Sequence, residues 1–293
     1  VLFTDLATNA LGVFLFVIGV FAAITGLAFM TRRTISRSFV LYRHHWRTFV
    51  LIGLVLIPVG LLFNAVQFLV AAIPPTSYAV ALLNEHNNNG SFASGLIVGV
   101  GQHMAGLAIV GPAVIEAFRR IESNEPLNVI DIYRTAFQKF SRTARAVLLA
   151  VALVVPLTLV VIGIPIAIWL LVRWFFAPQA VMLDGREGRD ALRRSAESVG
   201  AGWHWLRTAG SGLLLFVIGA APGPLIGLAF LILRSSSVSF ANFVSSFVYA
   251  AFVPFAFLGV TILYRQRQVR LGVDPDLQSP SSTPEAAPQA SGR

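Results

Sequence analysis

The sequence contains no cysteine, and charged residues make up only 12% of its 293 positions. Without cysteine, disulfides, thiolate metal sites and cysteine nucleophiles are excluded. A soluble domain carries about 25% charged residues, so this chain has roughly half the usual share. Hydrophobic residues make up 56% of the chain, and its mean hydropathy is +0.75. These values predict an integral membrane protein, in which each helix satisfies its own backbone hydrogen bonds because lipid offers none.

Lysine is nearly absent as well, so the positive charge comes from arginine. The formal net charge is +9, and Lys139 is the single lysine. The arginines lie in short segments between apolar runs, which favours a role in membrane topology and in contacts with anionic headgroups over nucleic-acid binding. We therefore expect membrane lipids, especially anionic ones, as partners, and no nucleic acid.

Long apolar runs predict an all-α protein with seven membrane helices. A hydrocarbon core about 30 Å thick takes about 20 helical residues. Residues 146–183 are too many for one span, and Gly163-Ile164-Pro165 is a turn signal near their middle. This segment is compatible with two short spans and also with a re-entrant hairpin. The predicted spans are 8–30, 48–73, 93–118, 146–162, 166–183, 208–233 and 240–264.

Three basic segments, 32–47, 119–145 and 184–207, predict amphipathic elbow helices at the membrane interface. Apolar side chains recur in them at helical spacing, and arginines lie largely on the other faces. The alternate loops hold essentially only Arg234, so the basic segments are expected in the cytoplasm and the N-terminus outside. The tail, residues 271–293, is rich in proline, serine and alanine, which predicts a disordered cytoplasmic segment. The expected location is the cytoplasmic membrane.

An internal repeat is suggested by the alignment of these segments. Placing Arg47 over Arg145 also aligns Phe39 with Phe137, and Pro58 with Pro156, without a gap. Arg207 falls into the arginine column as a third copy. We predict a threefold repeat of an elbow helix and two membrane helices, preceded by one extra span, within a single transmembrane domain, residues 1–270. Chance similarity among apolar segments is the alternative.

One stretch carries a family resemblance. It contains Arg173-Trp174-Phe175-Phe176-Ala177-Pro178, then Leu183-Asp184-Gly185, then Ala191-Leu192-Arg193-Arg194-Ser195, and finally Gly202 and Trp205. This stretch resembles the membrane domain of glycerophosphoryl diester phosphodiesterases, a group of bacterial polytopic membrane proteins. The resemblance implies a membrane module near phospholipid metabolism. The tail is too short for a catalytic barrel of about 250 residues, so we expect no hydrolase activity and no cofactor.

Arg173 is the main candidate for a substrate or lipid-phosphate site, because a charge in the middle of a span costs about 2.5–3.5 kcal/mol. Three explanations are open: an anionic ligand, carbonyl groups freed at Pro165 or Pro178, or a side chain that reaches the interface. Four polar residues at membrane depth either line a cavity with it or hydrogen-bond between helices. They are Asn64, Gln67, Gln102 and His103.

Two functions are compatible with these patterns. The first is a non-catalytic membrane module that organises or senses phospholipid, or scaffolds a protein partner or a second copy of itself. Its expected headgroup-binding residues are Arg43, Arg47, Arg142, Arg145, Arg193, Arg194 and Arg207. The second is a transporter or exporter of a small anionic amphiphile or phosphodiester, with Arg173 at the substrate site. We expect no metal site, because His44 and His45 lie among arginines that repel a cation.

Overall fold

The computed structural model describes residues 25–26, 29, 31–62, 106–158, 163–234 and 238–272, and it contains only helices, turns and loops in these ranges. The predicted all-α class is therefore confirmed. A π-helical turn, Gly106–Val110, precedes α3, and helical residues continue after α2 as far as Leu62. The helices are α1 Thr31–His44, α2 Trp46–Leu54, α3 Gly111–Glu122, α4 Val129–Gln138, α5 Phe140–Thr158, α6 Gly163–Arg173, α7 Ala177–Met182, α8 Gly188–Val199, α9 Trp203–Ala220, α10 Pro222–Arg234 and α11 Val238–Arg270.

Within the described ranges, four helical segments are long and apolar enough to cross a membrane, which fits the predicted membrane protein. They are Phe140–Leu157, Gly163–Met182, Trp203–Phe230 and Phe243–Arg270. A fifth is possible if α1 and the helix from Trp46 to Leu62 count as one span, although the two meet at 89°.

The seven-span count and the threefold repeat stay predictions. Most of the predicted span 8–30, the second half of 48–73 and the first half of 93–118 lie outside the described residues. The tail beyond residue 272 lies outside them too. Helices α1, α4 and α8 fall within the three predicted elbow segments, and each is followed at once by a more apolar helix.

Helix α11 lies at the centre of the described bundle. It packs against α2, α3, α9 and α10. In its most apolar stretch 67% of residues are buried inside the protein, against 17% for Phe140–Leu157. A helix that is apolar on all sides and surrounded by protein belongs in the interior, whereas the more exposed helices face lipid.

A proline in α11 is covered by α1 and α2. Pro254 lacks the N–H group that would bond to the carbonyl of Ala250. That carbonyl faces Gly53, where an added Cβ would lie 1.8 Å from the Ala250 oxygen. Tyr42 donates its hydroxyl to the next carbonyl, that of Ala251. An uncovered carbonyl costs several kcal/mol in lipid, so this covering stabilises the packing around Pro254.

Helix α1 buries hydroxyl groups rather than an apolar face. Thr31 shares a 3.0 Å hydrogen bond with Ser211 of α9, and Thr34 donates to Gln266 of α11 at 3.0 Å. Tyr42, two turns later, reaches Ala251. Gln266 and Ala251 are separated by about 22 Å along a helix. Helix α1 therefore runs along α11 from its C-terminal end towards its middle.

Replacing Gly53 with alanine is expected to destabilise the protein by about 1–3 kcal/mol, because the new Cβ forces backbone apart at the Ala250 carbonyl. Thermal unfolding in detergent, followed by tryptophan fluorescence, measures the change. Gly26→Ala is the matched control, since a Cβ at this helical position meets nothing within 4 Å. An unchanged midpoint in Gly53→Ala contradicts the proposed close contact.

Candidate functional site

Polar side chains gather at one end of the bundle, where α3, α8 and α9 meet the last turns of α11. We call this group the polar layer. Its hydrogen bonds and ion pairs connect helices that are far apart in sequence. Its members are Glu116, Arg119, Arg120, Glu122, Lys139, Asp184, Arg194, Ser198, His204, Thr208, Tyr264, Arg265, Arg267 and Gln268.

The first part of the polar layer surrounds the fully buried carboxylate of Glu116. Arg119 lies 2.8 Å from it, Arg120 3.2 Å and the Lys139 ammonium 3.9 Å. Arg119 also pairs with Glu125 at 2.8 Å. Hydrogen bonds to Glu116 and Glu125 raise the pKa of Arg119, and the bond from Arg119 holds the pKa of Glu125 below its usual range. A buried carboxylate is tolerated here because cations surround it.

The second part joins the turn before α8 to α11. One carboxylate oxygen of Asp184 accepts from Arg194 at 3.0 Å and from the Tyr264 hydroxyl at 2.6 Å. Arg194 also donates to Gln268, whose amide donates to Ser198 at 2.8 Å. Burial lowers the pKa of Arg194, but the hydrogen bond to Asp184, the interaction with Tyr264 and the charge of Asp184 together outweigh this effect and raise it.

The third part joins α9 and α3 to α11. Arg267 is 6% exposed and donates to the Thr208 hydroxyl at 3.0 Å and to the carbonyl of His204 at 3.2 Å. Arg265 donates to Glu122 at the end of α3, at 3.2 Å. These contacts satisfy buried guanidinium groups, which would otherwise carry a large desolvation cost.

A buried serine holds the break between α6 and α7. The Ser195 hydroxyl accepts from the backbone N–H of Phe176 at 3.0 Å and donates to the carbonyl of Arg173 at 2.9 Å. The Arg173 carbonyl ends α6, and the Phe176 N–H belongs to the turn at residues 174–176, where regular helical bonding is interrupted. This contact was not predicted, because a serine within a helix carries no sequence signal for it.

Arg173 lies in the last turn of α6, where a cation is favoured by the helix dipole. Its guanidinium carbon is 4.7 Å from the centre of the Trp169 ring, a cation–π contact. Trp205 donates its indole N–H to the Trp169 carbonyl at 3.2 Å. The polar residues predicted to share a cavity with Arg173 lie outside the described residues, so the transport hypothesis stays a prediction. They are Asn64, Gln67, Gln102 and His103.

The predicted headgroup-binding arginines fall into two groups. Arg194 and Arg207 are half-buried, and Arg194 belongs to the polar layer. The others are exposed, but Arg142 pairs with Glu187 at 2.9 Å and Arg193 pairs with Glu197 at 3.1 Å. The exposed arginines are Arg43, Arg47, Arg142, Arg145 and Arg193.

An open groove of about 680 Å³ lies on α1. Four of its six lining residues are polar, and three of these four are arginines. In the described ranges, no three His, Asp or Glu side chains are placed to hold a metal ion. The groove is lined by Arg32, Arg33, Ser36, Arg37, Val40 and Leu41.

Replacing Glu116 with glutamine is expected to destabilise the protein by about 3 kcal/mol, because it leaves the half-buried Arg119 and Arg120 facing an uncharged group. Thermal unfolding in detergent measures the loss. Asp131→Asn is the control: its pair with Arg134 spans 3.8 Å with side chains 45% and 72% exposed, so it contributes at most about 1 kcal/mol. Equal losses in both variants contradict a structural role for the buried carboxylate.

Comparison with known proteins identifies no relative of this chain. No protein-family model, no curated protein and no solved structure matches the chain. The resemblance of residues 173–205 to the membrane domain of glycerophosphoryl diester phosphodiesterases therefore stays a prediction. The assignment of function depends on the site itself.

Proposed function

We propose that the chain is a non-catalytic membrane module that binds anionic phospholipid headgroups with exposed arginines, and so organises lipid or holds a partner at the cytoplasmic membrane. One observation carries the proposal: several exposed arginines lack a carboxylate partner in the described ranges. Among the described residues, no ion pair joins a carboxylate to Arg32, Arg33, Arg37, Arg43, Arg145, Arg186 or Arg189.

Charge near a membrane surface supports this function. A basic residue close to an anionic leaflet contributes about 1 kcal/mol to binding. Arginine also forms paired hydrogen bonds with phosphate oxygens, which a lysine ammonium does not. The chain contains a single lysine and many arginines, so its exposed cations are well matched to phosphate groups.

Exposed aromatic side chains on α1, α4 and α9 support it further. Phe39 on α1 is 58% exposed, Phe137 on α4 60% and Trp203 at the start of α9 61%. A helix that displays arginines and large apolar side chains together is typical of a membrane interface. Their exposure fits lipid contact better than contact with water.

The polar layer favours a structural role over a catalytic one. A catalytic carboxylate needs an accessible position from which it can exchange protons with a substrate. Glu116 is fully buried among cations, and Asp184 already accepts from Arg194 and Tyr264. In the distinctive stretch 173–205, Asp184, Arg194 and Ser195 each connect helices. We propose that this motif maintains a lipid-facing membrane fold of the type that the resemblance implies.

Binding of anionic lipid is tested by extraction from bilayers of equal phosphatidylglycerol and phosphatidylcholine, with the retained lipid measured by mass spectrometry. We expect enrichment of phosphatidylglycerol that falls with added salt. Replacing Arg43, Arg47 and Arg145 with glutamine is expected to reduce the enrichment severalfold.

The matched control replaces Arg142 and Arg193 with glutamine, because Glu187 and Glu197 already balance these charges. This control is expected to lose less enrichment per charge removed. Equal retention of the two lipids by the unmodified protein overturns the proposed function.

The proposed orientation places the polar layer in the cytoplasm, since basic residues flank it and cytoplasmic loops are rich in arginine. The absence of cysteine makes the protein a natural background for single-cysteine labelling. Ala201→Cys, in the exposed turn between α8 and α9, is expected to react with an impermeant maleimide only after the cells are opened. Ser77→Cys, in the predicted external loop, is expected to react in intact cells. The reverse pattern contradicts the orientation.

A further inference from the structure

The groove on α1 combines a charged end with an apolar end. Arg32, Arg33 and Arg37 line it together with Ser36, and Val40 and Leu41 line its other end. These residues are three adjacent pairs, 32–33, 36–37 and 40–41, that recur every four residues, so they form a continuous strip along the helix. A ligand in the groove therefore contacts positive charge at one end and apolar surface one to two turns further along the helix.

Contacts on the buried side of α1 fix the direction of this strip. Thr31 and Thr34 hold the first turn beside Ser211 and Gln266, which lie at the level of the polar layer. Tyr42 holds the last turn beside Ala251, in the middle of the apolar α11. The charged end of the groove therefore lies at the polar end of the bundle, and the apolar end extends towards its hydrophobic middle.

Charge in the groove is not balanced by the protein. Helix α1 contains no Asp or Glu, and in the described part of the chain no carboxylate pairs with its arginines. Helix α8 differs, because Glu197 pairs with Arg193 and Asp184 pairs with Arg194. Among the described residues, the groove thus holds clustered arginines that have no carboxylate partner and can bind an external anion.

We propose that this groove binds one phosphate-bearing lipid. The phosphate contacts Arg32, Arg33 and Arg37, with the Ser36 hydroxyl available as a further donor, and an acyl chain lies along Val40 and Leu41. Arginine forks fit phosphate oxygens in pairs, and Val40 is 65% exposed and offers apolar surface beside them. A free phosphate ion would use the arginines but not Val40, so the amphipathic groove favours a lipid. This inference depends on the proposed function and assigns it a specific site.

Native mass spectrometry of the full chain, released from detergent supplemented with phosphatidylglycerol, tests the site by counting retained lipids. Arg33→Ala with Arg37→Ala is expected to reduce the tightest-bound lipid about tenfold. Arg134→Ala with Arg270→Ala removes the same charge from exposed positions outside the groove and is expected to leave that lipid in place. Thermal unfolding confirms that each variant is folded.

A second variant and a competitor identify the source of the phosphate. Val40→Asn is expected to weaken lipid retention without changing the charge, and millimolar glycerophosphate is expected not to displace the lipid. If glycerophosphate displaces the lipid and Val40→Asn has no effect on retention, the groove binds a soluble phosphate. That result overturns the proposed lipid site. Equal loss in both arginine pairs, with lipid preference intact, overturns the site and leaves the general function standing. If the unmodified protein shows no preference for phosphatidylglycerol, both the groove site and the proposed function are overturned.

Discussion

Helix α11 is surrounded by protein and carries Tyr264, Arg267 and Gln268 in its last turns. Its polar groups therefore have to find their hydrogen-bond partners inside the fold. This requirement applies to α11 along its whole length. In its middle, Gly53 and Tyr42 cover carbonyl groups next to Pro254. At its end, α3, α8 and α9 supply carboxylate, hydroxyl and carbonyl acceptors. Because membrane helices gain little from apolar contact with each other, such polar contacts define how the bundle is assembled.

The charged residues divide according to this assembly. Carboxylates at the polar end bind arginines and connect helices, as Glu122 of α3 does with Arg265 of α11. Exposed arginines on α1 lack such partners in the described residues and project from a helix that also displays Phe39 and Val40. The same residue type thus stabilises the fold where buried partners are near, and remains exposed without a carboxylate on α1. The exposure of an arginine and the presence of a partner, rather than the residue type itself, distinguish a structural role from a functional one here.

Local patterns predicted much of the helical layout. Apolar runs placed helices where α5, α6, α9 and α11 occur, because length and hydropathy are properties of a continuous segment. The partners of Asp184 could not be predicted this way, since Tyr264 lies 80 residues further along the chain. Arg194 was expected at headgroups, yet its charge is paired with Asp184. The hydroxyl face of α1 was missed because threonine and serine fit surfaces and interiors equally well.

The position of α11 in the chain has a consequence for biogenesis. Helices α1 to α10 leave the ribosome before the helix around which they pack. During that interval the hydroxyls of Thr34 and Thr208, and the guanidinium of Arg194, lack the acceptors and donors that α11 later provides. Insertion of the earlier helices and consolidation of the bundle are therefore separate events. The contacts of these groups with α11 form only after residue 268 has been synthesised.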